Sequence, residues 1–228
     1  MCGRFTLAFA GSDPAQIRAR FALDERVEVR RRYNVAPGDD VLAVVHDRDA
    51  EPRGELLRWG LVPHWAGDPS EMAARTINAR AETVAERPAY RDAFARRRCL
   101  IVADGFYEWS AGTPHWISLP GGAPFAFAGL WAAWRPRSAD GVETLRSCAI
   151  VTTASAGPVR DLHDRMPLIL DRDVEATWLD PATPPGELHA LLSSGETRLD
   201  ARPVSRAVND ARHDAADCLA EPEQTSLF

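Results

Sequence analysis

The 228-residue chain contains no lysine, and all 27 of its basic side chains are arginines. Codon bias in a GC-rich genome explains this absence, and abundant Ala, Arg and Pro agree with it, but the chemical consequence stands. Arginine stays protonated at physiological pH and cannot act as an amine nucleophile. Any Schiff-base chemistry of this protein must therefore use the α-amine at its N-terminus.

Cysteine is also scarce: none of the four cysteines lies in a CxxC pair or near a histidine at zinc-finger spacing. This pattern predicts a protein of the reducing cytoplasm with no disulfide framework, no structural zinc and no other metal. The sequence has no apolar run of membrane-spanning length and no signal-peptide pattern, so we expect no membrane partner. A net charge of −6 argues against a broad nucleic-acid-binding surface, although clustered arginines can override the total.

Many short segments rich in β-branched and aromatic residues predict an α+β domain. Candidate strands are 41–46, 56–59, 99–103, 115–119, 125–131 and 147–153. Ser12-Asp13-Pro14 is typical of a helix start, and a further helix is predicted over 88–97. We expect mostly antiparallel strands forming a barrel-like pair of sheets with peripheral helices. Residues 1–212 are predicted to form one domain, and residues 213–228 a flexible C-terminal tail.

Cys2 follows Met1 directly and is small enough for that methionine to be removed. Removal leaves an α-amine and a thiol on adjacent carbons, with reference pKa values of roughly 7.7–8.0 and 8.5. Such an aminothiol condenses with aldehydes, since the amine forms an imine and the sulfur then closes a five-membered thiazolidine. The same residue is also compatible with a thiol that merely packs, and the dipeptide alone does not decide between the two.

Three further residues lie where turn residues and polar side chains occur together. Glu108 stands between two aromatic residues, which can raise its pKa and suit it to acid–base catalysis. His163 can exchange a proton near neutral pH, and Asn78 can orient an amine or stabilise an oxyanion. Each also has a structural interpretation, as a solvated strand residue, a hydrogen-bonded histidine and a turn former respectively.

Taken together and in order, seven segments resemble the SOS response-associated peptidase (SRAP) family. They are Met1-Cys2-Gly3-Arg4-Phe5, Tyr33-Asn34-Val35-Ala36-Pro37, Trp59-Gly60-Leu61-Val62-Pro63, Asn78-Ala79-Arg80-Ala81-Glu82-Thr83, Asp104-Gly105-Phe106-Tyr107-Glu108-Trp109, His163-Asp164-Arg165-Met166-Pro167 and Pro203-Val204-Ser205-Arg206-Ala207-Val208-Asn209. The resemblance covers about residues 1–210 and implies the SRAP fold.

The resemblance implies a protein that senses and shields abasic sites in single-stranded DNA without a cofactor. Such proteins lose Met1 and join Cys2 to the ring-opened sugar aldehyde as a thiazolidine, which is a covalent DNA–protein crosslink. It implies that Asn78 holds the amine and the reacting oxygen, that Glu108 shuttles protons and that His163 acts as acid and base on the sugar. The family name implies that Cys2 also removes Met1 by autoproteolysis, a hydrolase activity beside the lyase-type one. A cellular aminopeptidase is the alternative route.

The resemblance also implies a DNA-binding set: Arg4, Asn34, Pro37, Trp59, Trp65, Arg80, Arg98, Arg165, Ser205 and Arg206. Arginines suit bidentate phosphate contacts and tryptophans suit stacking on bases. A surface ion pair for Arg98 and core packing for Trp59 stay open. Family members often carry a second aromatic after position 65, where this chain has Ala66, so we expect a weaker stacking platform. We expect a monomer of the cytoplasm, associated with the nucleoid.

The last five residues, Gln224-Thr225-Ser226-Leu227-Phe228, resemble the Gln-x-x-Leu-Phe peptides by which bacterial repair proteins bind the DNA sliding clamp. Leu227 and Phe228 would insert into an apolar pocket while Gln224 makes polar contacts. The resemblance therefore predicts the clamp as a protein partner. An alternative is that the terminal Leu-Phe folds back onto the domain.

Two other function classes remain at this point. An N-terminal-nucleophile cysteine amidohydrolase or peptidase can also begin Met-Cys-Gly and use its α-amine as base. A non-catalytic module for binding single-stranded DNA needs only the arginines and aromatic residues. The Glu108 and His163 motifs and the arginine set match the SRAP family, and the sequence shows no corresponding amidohydrolase pattern.

Overall fold

The computed structural model describes residues 2–47, 51–136, 143–193, 195 and 198–223. Met1 and the five residues of the clamp-type motif, 224–228, lie outside the described residues. The strands are β1 (Phe5–Leu7), β2 (Arg32–Val35), β3 (Asp40–Val45), β4 (Arg53–Trp59), β5 (Asn78–Arg80), β6 (Arg98–Ala103), β7 (Gly105–Ser110), β8 (Thr113–Ser118), β9 (Phe125–Trp134), β10 (Leu145–Ala154), β11 (Arg165–Pro167), β12 (Ile169–Leu170) and β13 (Asp200–Pro203). The α-helices are α1 (Pro14–Arg20), α2 (Pro69–Arg75), α3 (Arg91–Arg96), α4 (Glu175–Leu179) and α5 (Pro185–Leu191).

Strands β4, β3, β6, β9 and β10 form a closed ring, because β10 pairs with both β9 and β4. Closure leaves no free edge within this barrel. Strands β11 and β12 extend the sheet, and β5 pairs with β10. A second, five-stranded sheet has the order β13-β8-β7-β1-β2 and is antiparallel throughout. The barrel-like pair of sheets expected from the sequence is therefore confirmed, with β10–β4 and β10–β5 as parallel pairings.

Two apolar clusters account for the near-continuous burial of the barrel strands. In β6, Cys99 and Ile101 face one cluster, which also contains Phe5, while Leu100 and Val102 face the other. Alternate residues of a strand point to opposite faces, so both faces of β6 are covered. The helices cover the Leu100 face of β6, since α1, α3, α4 and α5 each contribute side chains to the cluster that contains Leu100.

The first helix begins as its sequence predicts. The Asp13 side chain accepts a hydrogen bond from the Gln16 backbone N–H at 2.8 Å, and the Gln16 side chain accepts one from the Asp13 N–H at 2.8 Å. This reciprocal pair satisfies two amide donors that the helix leaves unbonded, and Pro14 at the first position needs none. No helix in the described part of the chain is long and apolar enough to span a membrane.

The prediction of a flexible tail from residue 213 is wrong for residues 213–220. Cys218 is fully buried, and residues 216–219 form a 3₁₀ turn that packs on the second sheet. Asp214 accepts hydrogen bonds from the Tyr33 and Asn34 backbone N–H groups at 2.5 and 2.9 Å, and it pairs with Arg32. Its carboxylate thus covers the exposed edge of β2. Polar composition suggested mobility, but these side chains bind backbone groups of the sheet.

Candidate active site

Cys2 lies just before β1 and is 0% exposed, in the same cluster as Phe5 and Trp59. Its thiol donates a weak hydrogen bond to the Arg4 carbonyl, with Sγ and O 3.7 Å apart. Burial raises the pKa of the Cys2 thiol well above its usual range, and the nearby Glu108 carboxylate adds to the shift. The sulfur is therefore protonated at neutral pH and needs a base before it can attack.

Asn78 begins β5, which parallel pairing holds beside β10. Its side-chain amide donates to the Cys2 carbonyl oxygen at 2.7 Å. Since that partner can only accept, the donor is Nδ2 and the orientation of the amide is settled. The other atom, Oδ1, is buried and has no hydrogen-bond partner among the described residues. The site thus holds a vacant acceptor directly beside Cys2, suited to an N–H or O–H of a reacting group.

Glu108 is brought to Cys2 by the pairing of β1 with β7. Phe5 lies opposite Phe106, and the Tyr107 N–H donates to the Arg4 carbonyl at 3.0 Å. Continuing this register sets Glu108 opposite Gly3, the residue after Cys2. Glu108 is 3% exposed. Burial raises its pKa, and the positive charge of His163 partly opposes the shift. A carboxyl with a raised pKa keeps its proton to a higher pH than usual, which suits it to acid–base catalysis.

His163 follows a 3₁₀ turn over Gly157–Asp161, and its backbone N–H donates to the Val159 carbonyl at 2.9 Å. Its ring nitrogen Nδ1 accepts a hydrogen bond from the Arg165 N–H at 2.9 Å, and Asp164 Oδ1 also lies 2.9 Å from Nδ1. The neutral ring accepts from the amide and carries its proton on Nε2, while the charged ring donates from Nδ1 to Asp164. Nδ1 of His163 therefore has one donor, the Arg165 N–H, and one acceptor, Asp164 Oδ1, within 2.9 Å.

Arg4 and Arg80 flank these residues. Arg4 donates from Nη1 to Asn34 Oδ1 at 2.9 Å and to the Val208 carbonyl at 2.8 Å. Arg80 ends β5, two residues from Asn78, and is exposed. Its positive charge contributes to lowering the pKa of Glu82, after the hydrogen bond from Arg165. Two arginines therefore lie within two residues of Cys2 and of Asn78 along the chain, and of these Arg80 is exposed.

Three members of the predicted DNA-binding set are corrected by the structure. Trp59 is 1% exposed, and its Nε1 donates to the Ile77 carbonyl at 2.9 Å, so it cannot stack on a base in this conformation. Arg98 is 1% exposed and donates to three backbone carbonyls of the helical layer at 2.5–2.8 Å. Asn34 is fully buried and its amide nitrogen binds carbonyls of residues 208, 210 and 213. These three buried side chains therefore stabilise the fold.

The other members of the set have varied positions. Trp65 is 41% exposed, and Pro37 and Arg206 are also exposed. Ser205 accepts a hydrogen bond from the Ala207 N–H at 3.2 Å and thereby begins a 3₁₀ turn. Arg165 is largely buried and its guanidinium binds the Glu82 carboxylate. Exposure therefore favours Trp65, Arg80 and Arg206 for contacts with a large ligand.

Two residues near the site were missed by sequence reasoning. Thr152 is a fully buried polar residue of β10, and its carbonyl accepts from Arg165 Nη2 at 2.6 Å. Tyr90 donates from its hydroxyl to the Asn78 carbonyl at 2.9 Å. A threonine at the end of an apolar run was the signal available for Thr152. Nothing local marked Tyr90, because its partner is on another element.

Side chains of His213, Asp217 and Cys218 form the one group in the described residues whose potential metal-ligand atoms cluster, all within 4.8 Å of one another. His213 Nε2 lies 2.7 Å from Asp217 Oδ1, and the Cys218 thiol donates to the His213 carbonyl. The polar atoms of this cluster thus satisfy one another. Burial raises the pKa of the Cys218 thiol, which further disfavours the thiolate that a metal would need.

Residues 1–211 match the family model described as SOS response associated peptidase (SRAP). "Abasic site processing protein YoaM" of Bacillus subtilis is 40% identical over 229 residues, which cover 96% of this chain and 97% of that protein. "Abasic site processing protein HMCES" of Xenopus tropicalis is 33% identical over 220 residues, covering 82% of this chain and 65% of that protein.

Two crystal structures have similar folds. A protein from Bacteroides thetaiotaomicron superposes with a TM-score of 0.84 at 22% identity, covering 96% of this chain and 99% of that chain. A phage-related protein from Bordetella bronchiseptica superposes with a TM-score of 0.67 at 31% identity, covering 89% of this chain and 94% of that chain. The first likeness concerns the fold alone.

Proposed function

The chain belongs to the SOS response-associated peptidase family, and we propose that it recognises abasic sites in single-stranded DNA and captures them covalently through Cys2. Its relatives from Bacillus subtilis and Xenopus tropicalis are named abasic site processing proteins. The observation that carries the proposal is the contact of Asn78 with Cys2, since it supports a polar reaction site built around the second residue.

The proposed reaction starts with hydrolysis of the Met1–Cys2 peptide bond, which consumes one water and leaves the Cys2 α-amine free. The amine adds to the aldehyde of the ring-opened abasic deoxyribose and gives a carbinolamine. Loss of one water then forms the imine. The Cys2 sulfur attacks the imine carbon, and its proton passes to the nitrogen as the thiazolidine ring closes. The net change for capture is protein plus DNA minus one water.

Different side chains of the site are suited to different steps of this reaction. A buried thiol with a raised pKa needs a base, and the nearby Glu108 carboxyl with its own raised pKa suits that task. The same carboxyl, once protonated, can assist loss of water from the carbinolamine. The vacant Oδ1 of Asn78 can accept an N–H of the amine. His163, with one donor and one acceptor within 2.9 Å of its Nδ1, can act on the sugar hydroxyl and favour the open aldehyde.

The DNA strand is proposed to cross the entrance of the site. Arg4, Arg80 and Arg206 are proposed to contact phosphates, and the exposed Trp65 to stack on a base. Binding of the sliding clamp by Leu227 and Phe228 is proposed as a separate function of the chain end.

Intact mass spectrometry of the purified protein, alone and with an oligonucleotide carrying one abasic site, tests the reaction. We expect loss of Met1 and then a heat-stable adduct of protein plus oligonucleotide minus one water. Cys2→Ser keeps the α-amine and removes the sulfur, so it should give only an imine that borohydride traps. Cys218→Ala removes a buried thiol elsewhere and should leave the adduct yield unchanged.

A heat-stable adduct from Cys2→Ala, or full-length protein that keeps Met1 and still crosslinks, would refute the proposal. Release of ammonia from glutamine by the processed protein, without adduct formation, would favour an amidohydrolase. Salt-sensitive DNA binding that is the same for wild type and Cys2→Ala, with no covalent product, would favour a simple binding module.

A further inference from the structure

The backbone of Arg165 orients the His163 ring through one ring nitrogen. Nδ1 of His163 accepts from the Arg165 N–H at 2.9 Å and lies 3.2 Å from the Arg165 carbonyl oxygen. A neutral ring uses the N–H, and a charged ring can donate to the carbonyl or to Asp164. In either state the direction of the other nitrogen, Nε2, depends on where the Arg165 backbone lies.

The Arg165 side chain is fixed in turn by Glu82. Its Nη1 and Nη2 donate to the two carboxylate oxygens of Glu82 at 2.5 and 3.0 Å, and Nη2 also donates to the Thr152 carbonyl at 2.6 Å. This is a bidentate pair, the geometry that arginine and carboxylate groups share best. It lowers the pKa of Glu82, so the carboxylate stays charged below its usual range.

Burial makes the pair asymmetric. The Arg165 side chain is 13% exposed and that of Glu82 is 53% exposed. A guanidinium that is mostly removed from water needs a charge partner, whereas the carboxylate is well solvated without one. Loss of Glu82 therefore disturbs the Arg165 side chain more than loss of Arg165 would disturb Glu82. Without Glu82, the Arg165 side chain can shift toward another anion.

We propose that Glu82 is a positioning residue for His163, acting through the Arg165 side chain and the Arg165 backbone. It contacts no reacting atom in this role. The charged and titratable groups around the ring are Asp164 beside it, Arg165 in β11 and Glu108 from β7. The inference rests on the proposed function, because the step that His163 serves is the capture of the abasic site.

The test compares Glu82→Gln, which keeps the shape and removes the charge, with Glu71→Gln. Glu71 is an exposed residue of α2 that pairs with Arg75. The control therefore also removes a carboxylate charge that pairs with an arginine, but at a different place in the fold. Three quantities are measured: the rate of adduct formation against pH, the affinity for an oligonucleotide without an abasic site, and the tautomer of His163 by nitrogen-15 NMR. Glu82→Asp, which keeps the charge on a shorter side chain, replaces Glu82→Gln in all three measurements if the latter does not fold.

We expect Glu82→Gln to slow adduct formation by roughly tenfold to a hundredfold, with a changed pH profile, as misplacement of a proton-transfer group would. Because the Arg165 N–H donates to Nδ1, we expect Glu82→Gln to change the balance between the Nδ1–H and Nε2–H tautomers in the NMR spectrum, while affinity for intact DNA stays within about twofold. In a His163→Ala background the same change should have no further effect on rate.

An unchanged tautomer and pH profile, or an equal loss of rate in the His163→Ala background, overturns the inference. A change in DNA affinity alone also overturns it, since Glu82 would then act by competing with phosphates for Arg165. The NMR measurement needs no DNA. A wild-type protein that never forms an adduct therefore refutes the proposed function while the coupling of Glu82 to His163 is still measured.

Discussion

Replacing Glu108 with glutamine removes a carboxyl that the fold holds almost out of water. Glu108 is 3% exposed, and burial raises its pKa. A carboxyl with a raised folded-state pKa binds its proton more tightly in the native than in the unfolded protein. The loss of stability caused by ionising this buried carboxyl is therefore absent at low pH. It appears as the pH rises from the unfolded-state pKa of about 4.3 through the folded-state pKa.

The magnitude follows from the same linkage. Each unit by which the folded-state pKa exceeds the unfolded one costs about 1.4 kcal/mol of stability above both values. Glu108→Gln does not titrate, so the free energy of unfolding of the variant relative to wild type should rise across this pH window and then level. A buried amide without a partner costs about 1–3 kcal/mol, but that cost does not change with pH. The pH-dependent part is therefore diagnostic.

Urea unfolding of both proteins at roughly pH 4 to 9 measures this difference. Glu71→Gln, at a side chain that is 62% exposed, serves as control and should differ from wild type by less than about 0.5 kcal/mol at every pH. The same Glu108→Gln protein should form the abasic-site adduct about 10²–10⁴-fold more slowly. A stability difference that is flat in pH, or that falls as pH rises, would show that Glu108 is not held at a desolvation cost.

Four further predictions concern two arginines, the C-terminal segment and the chain end. Arg80→Gln should reduce the slope of log affinity for single-stranded DNA against log salt by about one, measured by fluorescence anisotropy. Arg98→Met should leave that slope unchanged and lower the free energy of unfolding by about 3 kcal/mol; a changed slope would contradict its burial. Asn34→Ala should cost about 2–4 kcal/mol and speed hydrogen exchange in residues 208–213, since those carbonyls lose their donor; unchanged exchange would contradict this. Deleting Leu227 and Phe228 should abolish binding to the sliding clamp in a pull-down while adduct yield is unchanged, and clamp binding that survives would refute the motif.

Local patterns predicted those parts of the fold whose causes are local. Asp13-Pro14 begins a helix because the capping partner, Gln16, is three residues away. The strand over Val41–His46 was predicted within one residue of β3 because its β-branched residues favour an extended chain. Closure of the barrel by the β9–β10 and β10–β4 pairs was not specified in this way, because strand pairing depends on distant segments.

The errors in the predicted site have the same origin. Trp59 and Arg98 have the residue types that a DNA surface needs, yet both are 1% exposed. The neighbouring sequence does not show whether a tryptophan will pack in an apolar cluster, or whether an arginine will bind buried backbone carbonyls. The segment from residue 213 was expected to be flexible on composition, and its packing depends on hydrogen bonds with residues some 180 positions earlier.

Composition alone showed that no side chain of this sequence can supply an amine nucleophile, because it has no lysine, and the position of Cys2 directed attention to that residue. Only the tertiary structure decided which polar groups meet there. Asn78 contacts Cys2 across 76 positions, and Glu108 reaches it through the β1–β7 register. The physical reason is that chemical reactivity belongs to single residues, whereas burial, pKa and hydrogen-bond geometry arise from neighbours that folding brings together.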